Sequence, residues 1–175
     1  MARHRLFIYA LSGGIFGIAD WYYPTLLRVL VPARPPAWLL SLVVEVLLTY
    51  GVWLMLALPI AWCETIQTLR PSMAARAVIL TWVSALVSYY LSYAVLLAFI
   101  GLPQLEQFLV WSPRDPSFWQ VWASMGKDLI LGQLLEWSVV ALIGGAVVGW
   151  CTGWLYCWRR QQASASIPAG PGGPC

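Results

Sequence analysis

The sequence predicts an all-α fold, a polytopic membrane protein built as a bundle of four transmembrane helices, on three observations. The 175 residues are 61% hydrophobic and only 10% charged, with a mean hydropathy of +0.73. A soluble domain carries about 25% charged residues, so this chain has too little polar surface to cover a fold in water. Its apolar residues fall into long runs that meet the roughly 20 residues needed to cross a bilayer core. Finally, most of its twelve tryptophans and eight tyrosines lie near the ends of those runs, where amphipathic rings favour the headgroup level. Helices are favoured over a barrel, because barrel strands alternate apolar and polar residues over roughly ten positions. Every spanning backbone group must find a partner inside the chain.

The first span is expected over about 6–27, after Arg3, His4 and Arg5, with Asp20, Pro24 and Arg28 in its upper part. Residues 6–19 also resemble the apolar core of a signal peptide, with Gly17, Ile18 and Ala19 as a small-residue cleavage site. The apolar sequence that resumes after Asp20 favours a retained helix. Pro32, Pro35 and Pro36 mark a connector, since proline lacks the N–H a helix interior needs. The second span is expected over 38–62, with Glu45 inside it and Pro59 near its far end. A polar link over 64–76 leads to the third span, 77–102, which is uncharged but carries Thr81, Ser84, Ser88 and Ser92. The longest link, 103–127, has apolar residues spaced by three and four, which suggests short helices lying in the interface. The fourth span, 129–158, ends at Arg159 and Arg160. The expected organisation is one transmembrane domain over 1–160 and a Ser/Ala/Gly/Pro-rich tail, 161–175, that cannot bury a core and is expected to be disordered.

With four spans, Arg3, Arg5, Arg70, Arg76, Arg159 and Arg160 share one side, and Arg28, Arg34, Arg114 and Lys127 the other. The positive-inside rule then places both termini in the cytoplasm, across a plasma (inner) membrane. The two halves show no internal repeat, which argues against an inverted-repeat transporter.

Several function classes lack their residues. The one histidine, His4, precedes the first span, so intramembrane haem and zinc lack their usual ligand. No metal or other cofactor is expected. Cys63, Cys151, Cys157 and Cys175 form no C-x-x-C pair and read as small hydrophobes and a tail residue. The scattered basic residues are topology signals and not a nucleic-acid footprint. No G-x-S-x-G, H-E-x-x-H or phosphate-binding glycine loop is present, so no catalytic residue is assigned.

Two constellations remain. The fourth helix carries Ala141, Gly145, Gly149 and Gly153 at intervals of four, and the first carries Gly13 and Gly17. Such stripes let helix backbones approach in lipid, either inside the bundle or against another subunit. The second constellation is three intramembrane carboxylates. At 1.5 Å per residue, Glu45 and Glu136 lie about 10 and 12 Å, and Asp20 about 8 Å, below the outer surface. Such acids are costly in lipid and need partners. Arg28, Thr49 and Gln133 are the supporting polar groups nearest in sequence. The acids form either a joint cation or proton site or hydrogen bonds that hold helices together. Glu136 and Gly145 are nine residues apart, about 180° around a helix, so the fourth helix should be contacted on both faces.

These features lead to an expected non-enzymatic structural or accessory subunit of a membrane oligomer or larger complex, with the lipid bilayer and other membrane subunits or copies as partners. The alternative is a small transporter or channel whose proton or cation site is formed by Asp20, Glu45 and Glu136.

Overall fold

The computed structural model describes the backbone of residues 2–30, 38–99 and 118–165, and the side chains of 4–23, 50–95 and most of 119–163. The chain is all-helical, with no strand among the described residues. Four long helices dominate: α1 (Ala2–Leu30), α2 (Trp38–Thr68), α3 (Pro71–Phe99) and α5 (Gly132–Ala165). A short helix, α4 (Phe118–Met125), enters α5 through a π-helical stretch over Gly126–Leu131. Among the described residues, two segments are apolar and long enough to cross a membrane, Pro71–Val95 and Trp122–Ala163.

Element bounds differ from the sequence expectation in three places. The polar link expected over 64–76 shrinks to Leu69 and Arg70. Its polar residues are satisfied without leaving the helix, because Thr65 and Thr68 donate to the carbonyls of Ala61 (2.7 Å) and Glu64 (2.8 Å). Leu69 then takes a left-handed conformation (φ 53°), its N–H closing on the Thr65 carbonyl at 2.8 Å, and Pro71 opens α3. Second, the latter part of the long link holds the short helix α4, which runs into α5 without a loop. Third, residues 161–165 of the expected disordered tail are helical, because Arg159, Arg160, Gln161, Gln162 and Ala163 are all good helix formers. The proline-rich connector, residues 100–117 and the tail from 166 onward lie outside the described residues.

The central helix is α3, which presents two ridges of every-fourth residues. Ala77, Thr81, Ala85 and Tyr89 form the ridge that receives Tyr9, Gly13, Gly17 and Trp21 of α1. Gly13 meets the Thr81 backbone and Gly17 that of Ala85, so α1 and α3 run parallel. The second ridge, Pro71, Ala75 and Ile79, takes Gly153, Gly149 and Gly145 in reverse order, so α5 runs antiparallel to α3. A Cβ on Gly149 would lie 2.8 Å from the Ala74 carbonyl oxygen, and one on Gly153 2.8 Å from the Pro71 Cα. Packing of every-fourth ridges with small residues brings backbones together where dispersion, not water, drives association.

On α3, Ala74 and Val78 meet Ala57 and Ala61 of α2, all four fully buried. Trp82 caps this layer, with its indole donating to the Trp53 carbonyl at 3.3 Å and its ring lying over Gly144. Contacts from Arg5 to Glu64 and from Phe16 to Trp53 make α2 antiparallel to α1, so the long helices alternate in direction. Among the described residues, α1 and α5 flank α3 without packing closely on each other.

Candidate functional site

The ridge contact between α1 and α3 fixes what surrounds Asp20. Trp21 continues the glycine line and lodges its ring against Tyr89 (centroids 5.2 Å apart) and Tyr93 (4.7 Å). Asp20, one residue back and rotated by about 100°, is half-buried beside α2 and α3. It lies within electrostatic reach of Trp53 on α2 and of the Tyr89 phenol on α3. Phe16 stands edge-on to Trp53 at 5.3 Å. The groups within reach on α2 and α3 are thus neutral and aromatic.

Glu136 has a different environment. It is exposed on α5, acting through space on Tyr90. The Tyr90 phenol donates to Oε1 of Gln133 at 3.5 Å, one turn before Glu136. Tyr89 and Tyr90 are neighbours with ring centroids 5.2 Å apart, and they form a hinge of rings between the two acids. Asp20 and Glu136 thus lie at the same end of α3 but on different flanks of it, one held by α1 and one by α5. The side chains of Glu45, Arg28 and Thr49 lie outside the described residues.

The glycine residues singled out from the sequence all sit on the α3 contacts already described, and Ala141 is buried in the core between them. The stripe of α5 is therefore occupied within the chain. The opposite side of α5 is open, with Ile143 (63%), Val147 (55%) and Trp150 (54%) exposed in line with Glu136. Farther along, Trp154 and Trp158 stack nearly parallel, with ring centroids 6.0 Å apart.

The chain matches no protein-family model, no curated protein and no solved structure.

Its sites are accordingly defined by geometry alone. The best-connected polar cluster is one that sequence reasoning missed. At the other end of the bundle, Glu64 accepts from the Tyr9 phenol at 2.8 Å and pairs with Arg5 at 3.2 Å, with its own side chain 9% exposed. Arg5 also donates to Gln67 Oε1 at 2.7 Å. The available signal was spacing: Arg5 and Tyr9 stand four apart and Glu64 and Gln67 three apart, so each pair shares a helix face. This cluster ties the start of α1 to the end of α2, with Arg5 and Tyr9 both meeting Oε2 of Glu64. Among the described residues no group of three His, Cys, Asp or Glu could hold a metal ion. Cys63 and Cys151 are exposed free thiols, and Cys157 is half-buried with its thiol 3.8 Å from the Leu69 carbonyl oxygen.

Proposed function

We propose that the chain is an integral membrane subunit of four transmembrane helices that docks another subunit, a second copy or a different membrane protein, through the outward face of α5. The observation that carries this reading is the division of labour on α5. Its glycine side is filled by α3, while its other side combines exposed Ile143, Val147 and Trp150 with the exposed carboxylate of Glu136. A carboxylate facing hydrocarbon costs on the order of 3 kcal/mol or more, so a face that carries one calls for a partner. The four-span arrangement is supported by alternating helix directions, by helices of 29 residues or more, and by exposed apolar residues around the bundle, among them Phe7, Met55, Leu91 and Leu135. Exposed Arg70, Arg76, Arg159 and Arg160 gather toward the end that holds Arg5, which supports a cytoplasmic position for both termini in a plasma membrane.

Mass measurement of the chain extracted from its membrane in mild detergent tests the proposal. The expected particle contains more protein than one 19.5 kDa chain, and it falls to the monomer when Ile143 and Val147 are replaced by lysine. A strict monomer with no bound partner at every detergent concentration contradicts it.

A further inference from the structure

We propose that the groove between α3 and α5, at the arginine-rich end of the bundle, binds the headgroup of an anionic phospholipid through Arg76, with Trp154 and Trp158 as its aromatic wall. The glycine contacts fix the geometry. Gly149 lies against Ala75 and Gly153 against Pro71, with a Cβ on Gly153 only 2.8 Å from the Pro71 Cα. On two antiparallel helices in contact, the next residue along each chain turns by about 100° to the same outer side. Ser72 and Arg76 of α3 therefore emerge beside Trp150 and Trp154 of α5, and all four are exposed. This is the side away from α2, which Ala74 faces from one step back. Trp158, one turn beyond, is also exposed and stacks on Trp154, with ring centroids 6.0 Å apart and planes 4° from parallel.

Charge and apolar surface together define the occupant. Among the described residues no carboxylate pairs with Arg76. Arg70 and Arg159 are exposed at the same end, where the Cys157 thiol, 3.8 Å from the Leu69 carbonyl oxygen, joins α5 to the α2–α3 turn. The carboxylate described at this end is Glu64, which is buried and already held by Arg5 and Tyr9. A guanidinium offers a planar fork of donors that matches phosphate oxygens, and the Ser72 hydroxyl stands one turn from it. A lipid suits the face better than an acidic protein does. Val83 and Val87, seven and eleven residues beyond Arg76, continue its side of α3 as an apolar strip for an acyl chain. Indoles such as Trp154 and Trp158 favour the headgroup level, and basic pockets between spanning helices on the cytoplasmic side take anionic headgroups. The inference rests on the proposed spanning arrangement, which sets Arg76 about 8 Å along α3 from Pro71.

The test is native mass spectrometry of the purified full chain in detergent, titrated with phosphatidylglycerol and with phosphatidylcholine of the same acyl chains. Phosphatidylglycerol is expected to be retained at least tenfold more than phosphatidylcholine. Arg76→Gln should cut that retention at least fivefold with helicity and melting temperature unchanged. Lys127→Gln, which removes an exposed cation from the π-helical stretch at the other end, should leave it unaltered. Trp154→Leu keeps the charge, should weaken retention at least threefold, and serves if the Gln variant does not fold. Equal retention of the two lipids, unchanged retention in the folded Arg76 variant, or an equal loss in the Lys127 variant each overturns the site. So does full displacement by soluble glycerol phosphate, or an acidic protein bound through Arg76 in place of lipid. Alkaline carbonate extraction of native membranes tests the spanning reading separately. A chain that stays in the membrane and shows no lipid preference refutes the site alone, and a chain released by carbonate refutes both.

Discussion

Gly17 lies so close to the carbonyl oxygen of Ala85 that no side chain fits between them. The pair is one step in a line of contacts that runs from Tyr9 and Ala77 to Trp21 and Tyr89, and it sets how α1 leans on α3. Replacing Gly17 by leucine should therefore separate two backbones, and no rotamer change relieves the clash. The expected cost is about 3 kcal/mol, the upper part of the range for overpacking. A thermal melt in detergent should show the drop, together with loss of the Trp21–Tyr89 contact by fluorescence.

Gly51 provides the opposite case. It lies inside α2, and a Cβ there would meet nothing within 4 Å. Glycine within a helix costs roughly 0.5–1 kcal/mol relative to alanine, so Gly51→Ala should raise the melting temperature slightly. If both glycine variants moved stability in the same direction, the assignment of packing ridges would be wrong.

The Arg5–Glu64–Tyr9 cluster gives an ordered prediction. Glu64→Gln keeps an acceptor for the Tyr9 phenol and loses only the charge pair with Arg5, which is 30% exposed. Arg5→Ala strands the carboxylate, and Glu64→Leu strands the phenol. A hydrogen-bond donor or acceptor left unsatisfied in a buried site costs about 1–3 kcal/mol. The Gln variant should be the mildest of the three in equilibrium unfolding, and the Leu variant should also release the α1 N-terminus to limited proteolysis.

Leu69 adopts a left-handed conformation (φ 53°) that costs a branched side chain about 1–2 kcal/mol. Its side chain is largely exposed, so little packing is lost on removal. Leu69→Gly should stabilise the α2–α3 turn by about 1 kcal/mol. Unchanged or lower stability would mean that the Leu69 side chain makes a contact worth more than the strain.

Much of the fold is legible in the sequence because helices declare themselves by apolar runs and by what interrupts them. The ends are less legible. Glu64, Thr65 and Thr68 look like a polar link, yet two of them bond back to the helix and the third finds Arg5 and Tyr9 across the bundle. Depth along an axis follows from counting residues at 1.5 Å each, which puts Asp20 and Glu136 near the same level. Rotation about α3 does not follow from counting. It depends on which of two small-residue ridges receives which glycine stripe, and Ala77–Thr81–Ala85 and Pro71–Ala75–Ile79 are equally plain in composition. Two acids that share a depth therefore sit on different flanks. The two-sided character of α5 was legible, because a nine-residue step fixes opposite faces on any helix.

The most direct test of the subunit reading is photo-crosslinking in the native membrane, with a crosslinking side chain at Ile143 or Val147 of α5 and, as control, at Leu91 of α3. All three are exposed and apolar. Discrete crosslinked products from the two α5 positions and none from Leu91 are the expected result. Crosslinks to lipid alone from Ile143 and Val147, or the same protein products from Leu91, would contradict a docking face on α5.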